Sequence, residues 1–298
     1  MRHNRRMPFV TLLAGGAVLG LVGIFVRLAG ADGVGPFAAA FWRMAMATPL
    51  LVVWAWWSER AGAASPPSGP VRGGLLPDWS LPGLIALAAT AFAGDLILFH
   101  LGLRWSTVAN ATLESNLAPL VVTLALWALT RVPPRPSFVV ALVAALLGAL
   151  LVIGAHLGHR RSLLGDLCGS ASALFYAAYQ IGVQQARQRL GTLPLMAWIS
   201  AGATLALWPM ALLEGQLWPH DAMGWVWLVG LALLVQIGGQ VVIAHAVKHL
   251  EPARASVGLL VQPATSALYA WAFLGERLGA LQAAGGALVL AGIYLARR

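Results

Sequence analysis

Ten stretches of this chain are each long and apolar enough to cross a bilayer. With soft edges they are 8–29, 36–57, 81–103, 108–129, 137–157, 163–186, 193–213, 223–246, 253–274 and 279–296. A helix rising 1.5 Å per residue needs about 20 residues to traverse roughly 30 Å of hydrocarbon. Inside lipid every backbone amide must find a partner within the protein, so only helices and closed barrels span. Barrel strands alternate polar and apolar residues, whereas these runs are apolar all round. The expected fold class is therefore an all-α membrane protein with ten transmembrane helices. Composition agrees, with 59% apolar and 10% charged residues against roughly 25% charged in soluble domains.

The formal charge of +9 does not point to nucleic acid, because the arginines stand between apolar runs and not on one aromatic-rich face. Cys168 is alone, so there is no disulfide framework. Arg2, Arg5 and Arg6 before an apolar run look like a signal peptide. The run continues to about Ala29, too long for a cleaved segment, and reads as a retained first span. Joints are short except 58–80, where Ser65-Pro66-Pro67-Ser68-Gly69-Pro70 marks a flexible loop.

The chain is also written twice. At an offset of 144, Pro263 falls on Pro119, Trp271 on Trp127, Ala253 on Ala109, Ala255 on Ala111 and Gly292 on Gly148, without a gap. Two halves follow, 1–157 and 158–298, with five spans each. Five is odd, so the second half enters the membrane from the opposite side. Inverted repeats of this kind recur in secondary transporters, with substrate held near the midplane between the halves. With a cytoplasmic N-terminus, 13 cations lie at inner ends and 5 at outer ends, while Arg43 is inside a span. That bias favours both termini in the cytoplasm of a cell (inner) membrane. The outward Arg160-Arg161 pair is the main stress on this orientation.

Three stretches resemble a known family: Ala255-Ser256-Val257-Gly258-Leu259-Leu260-Val261-Gln262-Pro263, the Gly275-Glu276-Arg277 turn, and the helix from Gly285-Gly286 to Gly292. They are similar to the drug/metabolite transporter (DMT) superfamily in its ten-span EamA-type branch, which includes YddG-type aromatic amino acid exporters. The likeness covers nearly the whole chain as two EamA-like halves. The first half departs from it at Val132-Pro133, where the second has Glu276-Arg277. The resemblance implies export of small metabolites, often amino acids, by alternating access. It also implies a basket in which spans 1–4 and 6–9 line a central cavity and spans 5 and 10 form a supporting seam.

Three ionisable residues lie deep in spans: Arg43, Asp95 and Glu114. Each costs at least about 2.5 kcal/mol at the bilayer centre, so each should face a cavity or a partner. Counting rises from the span ends puts all three about 9–12 Å below one surface, and Arg43 is expected to pair with one or both carboxylates. A purely structural ion pair competes with a gating or substrate-binding cluster. At the 144 offset Asp95 maps to Gly239 and Glu114 to Gly258. This points to a polar outer gate and a closely packed inner one. Glu114 is the best candidate for proton coupling.

Uncharged polar candidates are His100, Asn110, Asn116, Tyr176, Tyr179, Gln180, Gln236, Gln240, His245 and Gln262. Tyr176, Tyr179 and Gln180 share one face of span 6, and Gln236 and Gln240 share one face of span 8. Two polar faces fit a wet cavity, with interhelical hydrogen bonding as the alternative. Trp42 and Trp198 lie deeper than the belt tryptophans and either line the cavity or pack in the core. Pro119 and Pro263, repeat mates within spans, are candidate hinges or fixed kinks.

No His/Cys/acid set has metal-ligand spacing, so no metal or other cofactor is expected. No HExxH, nucleophile elbow or P-loop occurs. Ala93-Gly94-Asp95 resembles part of a membrane aspartyl protease motif, but Phe92 replaces the required first glycine. An enzyme is therefore disfavoured against a carrier, and a channel is the remaining competitor. The expected partners are the lipid bilayer and a small-molecule substrate, an amino acid or related metabolite. The runner-up is broad efflux of lipophilic or cationic drugs. Ten spans enclose a cavity unaided, so the expected working unit is a monomer.

Overall fold

The computed structural model describes residues 6–61, 79–105, 116–154, 163–275 and 279–296. Asn110, Glu114, the Arg160-Arg161 pair and Glu276-Arg277 lie outside the described residues. Within them the chain is helical, and no strand occurs. Span 1 is α1 (Arg6–Leu19) and α2 (Val22–Ala31), span 2 is α3 (Pro36–Arg60), and span 3 is α4 (Leu81–Trp105). Span 4 enters the description at Asn116 and continues as α5 (Ala118–Thr130), followed by α6 (Pro136–Gly154) as span 5. Span 6 is α7 (Leu163–Ala186) and span 7 is α8 (Thr192–Glu214). Span 8 is α9 (Ala222–Gly230), a π-helix (Leu231–Val241) and α10 (Val242–Val247). Span 9 is α11 (Pro252–Gly258) and α12 (Val261–Leu274), and span 10 is α13 (Ala280–Ala296).

Spans 1, 8 and 9 read as uninterrupted helices in the sequence, and the structure corrects this. Span 1 tightens at Gly20-Leu21, where Gly20 N reaches Ala17 O and Leu21 N reaches Val18 O, both at 3.0 Å. Span 9 tightens at Leu259-Leu260 by the same i to i+3 bonds. Span 8 instead loosens into 11 residues of π-helix around Gly238-Gly239. Apolar periodicity does not distinguish these variants from an α-helix, because each keeps roughly the same face inward.

Repeat-mate spans pack on one another: span 2 on span 7 through α3 and α8, span 4 on span 9 through α5 and α11, and span 5 on span 10 through α6 and α13. The α4–α7 contact has its counterpart in α1 against the π-helix. The seam between α6 and α13 shows the symmetry at atomic level. A Cβ on Gly148 would stand 2.5 Å from Val289 N, and one on Gly292 would stand 2.6 Å from Ala145 N. Shifting the first contact by 144 gives the second with the partners exchanged. The two helices therefore run antiparallel about a pseudo-two-fold axis, with glycine admitting backbone-to-backbone approach.

Spans 1 and 2 relate to spans 6 and 7 at a different offset, 156. Asp32 N to Ala29 O (3.1 Å) recurs as Gln188 N to Gln185 O (3.1 Å). Gly35 opens α3 at φ −67°, ψ 157°, and Gly191 opens α8 at φ −58°, ψ 156°. The long 58–80 joint absorbs the slip, since its counterpart between Glu214 and Ala222 is far shorter.

Candidate functional site

Five helical stretches among the described residues are long and apolar enough to cross a membrane: Met7–Ala31, Pro36–Arg60, Leu81–Gly102, Thr192–Glu214 and Ala222–Val247. The 24-residue α7 is not one of them. Its apolar character is diluted by Ser172, Tyr176, Tyr179, Gln180 and Gln184, which recur every three or four residues and so share a side of the helix. A helix that carries such a stripe through lipid must bury it against the rest of the bundle.

The stripe meets a buried polar layer. Asp95 on α4 accepts a hydrogen bond from Ser172 Oγ at 2.6 Å. Arg43 on α3 donates through Nε to Gln236 Oε1 at 3.1 Å, and Gln236 Nε2 donates to Ser200 Oγ at 3.1 Å. Gln240 Nε2 donates to the Tyr179 hydroxyl at 3.4 Å. Tyr176 faces the Gln262 amide at the start of α12. Phe92, Tyr179 and Tyr176 form a stacked run, with centroids 4.5 and 5.8 Å apart and rings 23° from parallel at both steps. Arg43 is 6% exposed, Asp95 8% and Gln236 0%. Gln236 and Gln240 are both buried on the π-helix, and such segments are frequent at functional sites.

The structure thus assembles Arg43, Asp95, Tyr176, Tyr179, Gln180, Gln236, Gln240 and Gln262 on the facing sides of five spans. Of the two carboxylates expected to pair with Arg43, Asp95 does not do so among the described residues, although each lies within range of the other's charge, and Glu114 lies outside them. Arg43 and Asp95 are each bonded instead to an uncharged side chain on another helix, which the bundle places closer. Sequence reasoning missed Ser172 and Ser200, both fully buried. The available signal was a hydroxyl on the inward face of an apolar span.

Trp42 and His100 belong to a different region, the seal at what we term the Asp32 end. Trp42 Nε1 donates to Leu217 O at 2.8 Å, and its ring packs on Phe41, Trp218 and Trp225 at 5.0–5.2 Å. His100 Nδ1 lies 2.5 Å from Leu96 O, which makes that nitrogen the donor, and the ring sits against Phe37. Glu214 Oε2 accepts from Phe37 N (2.9 Å) and Ala38 N (3.1 Å), satisfying free amides at the start of α3. A cleft of about 370 Å³ opens beside this seal, lined by Gly33, Gln216, Trp218 and His220.

The Arg187 end is held by side chains reaching backbone carbonyls. Arg187 Nε donates to Ala244 O at 3.1 Å, Gln184 Nε2 to Val247 O at 3.3 Å and to Leu250 O, and Gln188 Nε2 to Lys248 O at 3.2 Å. These carbonyls lie at the end of α10 and in the turn after it, where Val247 O also accepts from Leu250 N at 3.2 Å, so the amides and the guanidinium cap the helix end. Burial pulls the Arg187 guanidinium down to about 10.

His245 does not mirror His100. It is exposed on α10, with Nδ1 3.5 Å from Thr192 Oγ1. Trp198, 63% exposed, faces outward. Asn116 stands at the turn that opens α5. Pro119 and Pro263 are both buried in the first turn of a half-helix that follows a tight turn, α5 and α12 respectively. Gly239 and Gly258, the mates of Asp95 and Glu114, are closely packed. A Cβ on either would stand 2.2 Å from Leu19 Cδ1 or 2.7 Å from Leu12 Cδ2. No cluster of metal-ligating groups occurs among the described residues.

A buried polar layer between two inverted helical repeats, closed toward each end by a different seal, is the architecture of a multi-pass membrane transporter. The EamA-like transporter family model matches residues 7–154 and 163–298, and the chain belongs to that family. It is 25% identical over 280 residues to an uncharacterized transporter of Archaeoglobus fulgidus, covering 91% of each chain. It is also 28% identical over 206 residues to an uncharacterized transporter of Synechocystis sp., covering 67% of this chain and 62% of the other. A crystal structure with 19% identity superposes with a TM-score of 0.79 over 98% of both chains, a likeness of fold.

Proposed function

We propose that this transporter is a secondary exporter carrying small zwitterionic metabolites, amino acids first among them, out of the cytoplasm by alternating access. The carrying observation is that, among the described residues, Arg43 and Asp95, opposite charges in one buried layer, are each bonded to a neutral side chain and not to each other. A buried charge without a counter-ion is costly. A solute bearing a carboxylate and an ammonium supplies both counter-ions in one molecule. The stacked Phe92, Tyr179 and Tyr176 rings offer a flat apolar wall to its side chain. The arginine bias makes the Arg187 end cytoplasmic and the Asp32 end external. Drive comes from the solute gradient, exchange or ion coupling, with Asp95 and Glu114 as the carboxylates available to a proton. The working unit is a monomer.

The test is uptake into proteoliposomes of a panel of amino acids and cationic dyes, with and without a pH gradient. Saturable, counterflow-stimulated amino acid uptake is expected, falling about a hundredfold in Arg43→Gln, as for loss of one partner of a buried charged contact. Flux that neither saturates nor shows counterflow would mean a channel. Movement of dyes alone would replace the reading with efflux of lipophilic cations. The feature supporting that second reading is an apolar cleft of about 390 Å³ between α5 and α7, lined by Leu120, Leu124, Leu167 and Leu174.

A further inference from the structure

Three side-chain atoms buried among the described residues have no hydrogen-bond partner: Gln180 Nε2, Gln184 Oε1 and Gln240 Oε1. Native interiors seldom leave such atoms unmet, and each calls for an explanation. All three lie between the tyrosine layer and the Arg187 end. Gln240 bonds Tyr179, Gln184 bonds Val247 and Leu250, and Gln188 bonds Lys248. These contacts set α7 and span 8 side by side and parallel, with Gln180 level with Gln240 and Gln184 one turn nearer the end. Gln240 is 1% exposed and Gln184 8%. Gln180 and Gln240 do not satisfy each other, although one presents a donor and the other an acceptor. The positions related to Gln180, Gln184 and Gln240 by the two offsets are Ile24, Leu28 and Leu96, so the other half has no such set.

One unmet donor and two unmet acceptors are the complement of a primary carboxamide, which has one carbonyl oxygen and two N–H bonds. We infer that Gln180, Gln184 and Gln240 form a subsite for the primary carboxamide of the transported solute. Its oxygen accepts from Gln180 Nε2 and its NH2 group donates to Gln240 Oε1 and Gln184 Oε1. The inference rests on the reading of the polar layer as the solute site and narrows the solute to one ending in CONH2. Sites built to hydrogen-bond a solute discriminate strongly against analogues that lack the bonds, because their own polar groups are then stranded.

The experiment compares counterflow of glutamine with that of methionine, which has a similar chain length and no amide, below saturation in proteoliposomes. Glutamine is expected to be favoured by about tenfold or more. That ratio should collapse toward one in Gln240→Met and in Gln180→Glu, which turns the donor into an acceptor at constant size. A ratio near one in the native protein, or one unchanged by both variants, overturns the subsite and leaves the amides to bridging water. A second arm melts the purified protein with valeramide or its ketone analogue 2-hexanone and decides the matter if no amino acid moves. Near-saturating valeramide alone should raise the midpoint by about 2–4 °C, and the rise should vanish in Gln240→Met. An amide-specific rise without amino acid transport sinks the amino acid reading and keeps the subsite. Neither rise nor transport sinks both.

Discussion

The inner faces of α7 and of span 1 are the same face of the repeat, filled in opposite ways. At the 156 offset Ser172, Tyr176 and Tyr179 stand where span 1 has Gly16, Gly20 and Gly23. On α7 the side chains reach out to Asp95, Gln262 and Gln240. On span 1 the helix itself closes in. A Cβ on Gly16 would stand 2.8 Å from Val261 Cγ1, and one on Gly20 would stand 2.4 Å from Thr265 Oγ1. The backbone keeps a two-fold symmetry that the chemistry has abandoned. One seam is held by close packing at Gly16 and Gly20, with room left only at Gly23, and the other by hydrogen bonds that a solute or water can replace. The contrast agrees with Asp95 standing opposite Gly239.

The largest effect should come from filling the packed seam. Gly20→Val drives its side chain into Thr265 and toward Ser266 N, 3.0 Å from the would-be Cβ. Backbone cannot yield as a side chain can, so a loss of about 3 kcal/mol or more is expected, read as collapse of the melting transition in detergent. Gly30 in the same span has nothing within 4 Å. Gly30→Ala should therefore be neutral or stabilising by up to about 1 kcal/mol, from helix propensity. Equal damage from both would show that span 1 merely dislikes substitution and would remove the packing account.

A smaller effect is expected on the polar seam. Ser172→Ala leaves the buried Asp95 carboxylate without the hydroxyl that donates to it, a cost of about 1–3 kcal/mol, together with a fall in transport. The reciprocal Gly16→Ser should build no second site, because Val261 already occupies the space. If Gly16→Ser melts like the native protein, the seams are interchangeable and the comparison fails.

Much of this was legible in the chain. Ten apolar runs and an odd number of spans per half were enough for the helical, inverted architecture. The spacing of Tyr176, Tyr179 and Gln180, and of Gln236 and Gln240, was enough to put them on inward faces. Partner choice was not legible. Arg43 reaches Gln236 across the contact between α3 and the π-helix, and hydropathy carries no information on which side chains meet across such a contact. Depth along a span was a poor guide to facing as well. Trp42 and Trp198 are repeat mates at the 156 offset and sit equally deep. Trp42 nevertheless joins the aromatic seal while Trp198 faces outward. The 144 offset concealed that pairing, because the slip lies in a loop where sequence similarity has no anchor.

The two ends provide the mildest test. The Asp32 end is held by aromatic rings and by a carboxylate on backbone amides, the Arg187 end by amides and cations on carbonyls. Cations therefore crowd the second end. His249, beside His245, Lys248 and Arg187, has its imidazole pulled below the usual 6.5, first by partial burial and then by those neighbours. A folded-state value below the unfolded one means the neutral ring is favoured in the folded state. The stability it contributes is complete above pH 6.5 and is lost as pH falls through that value toward the folded one. The melting midpoint should therefore drop modestly between pH 7 and pH 5, and His249→Gln should flatten that slope. An unchanged slope would place the pH sensitivity elsewhere and show that the Arg187 end tolerates another positive charge.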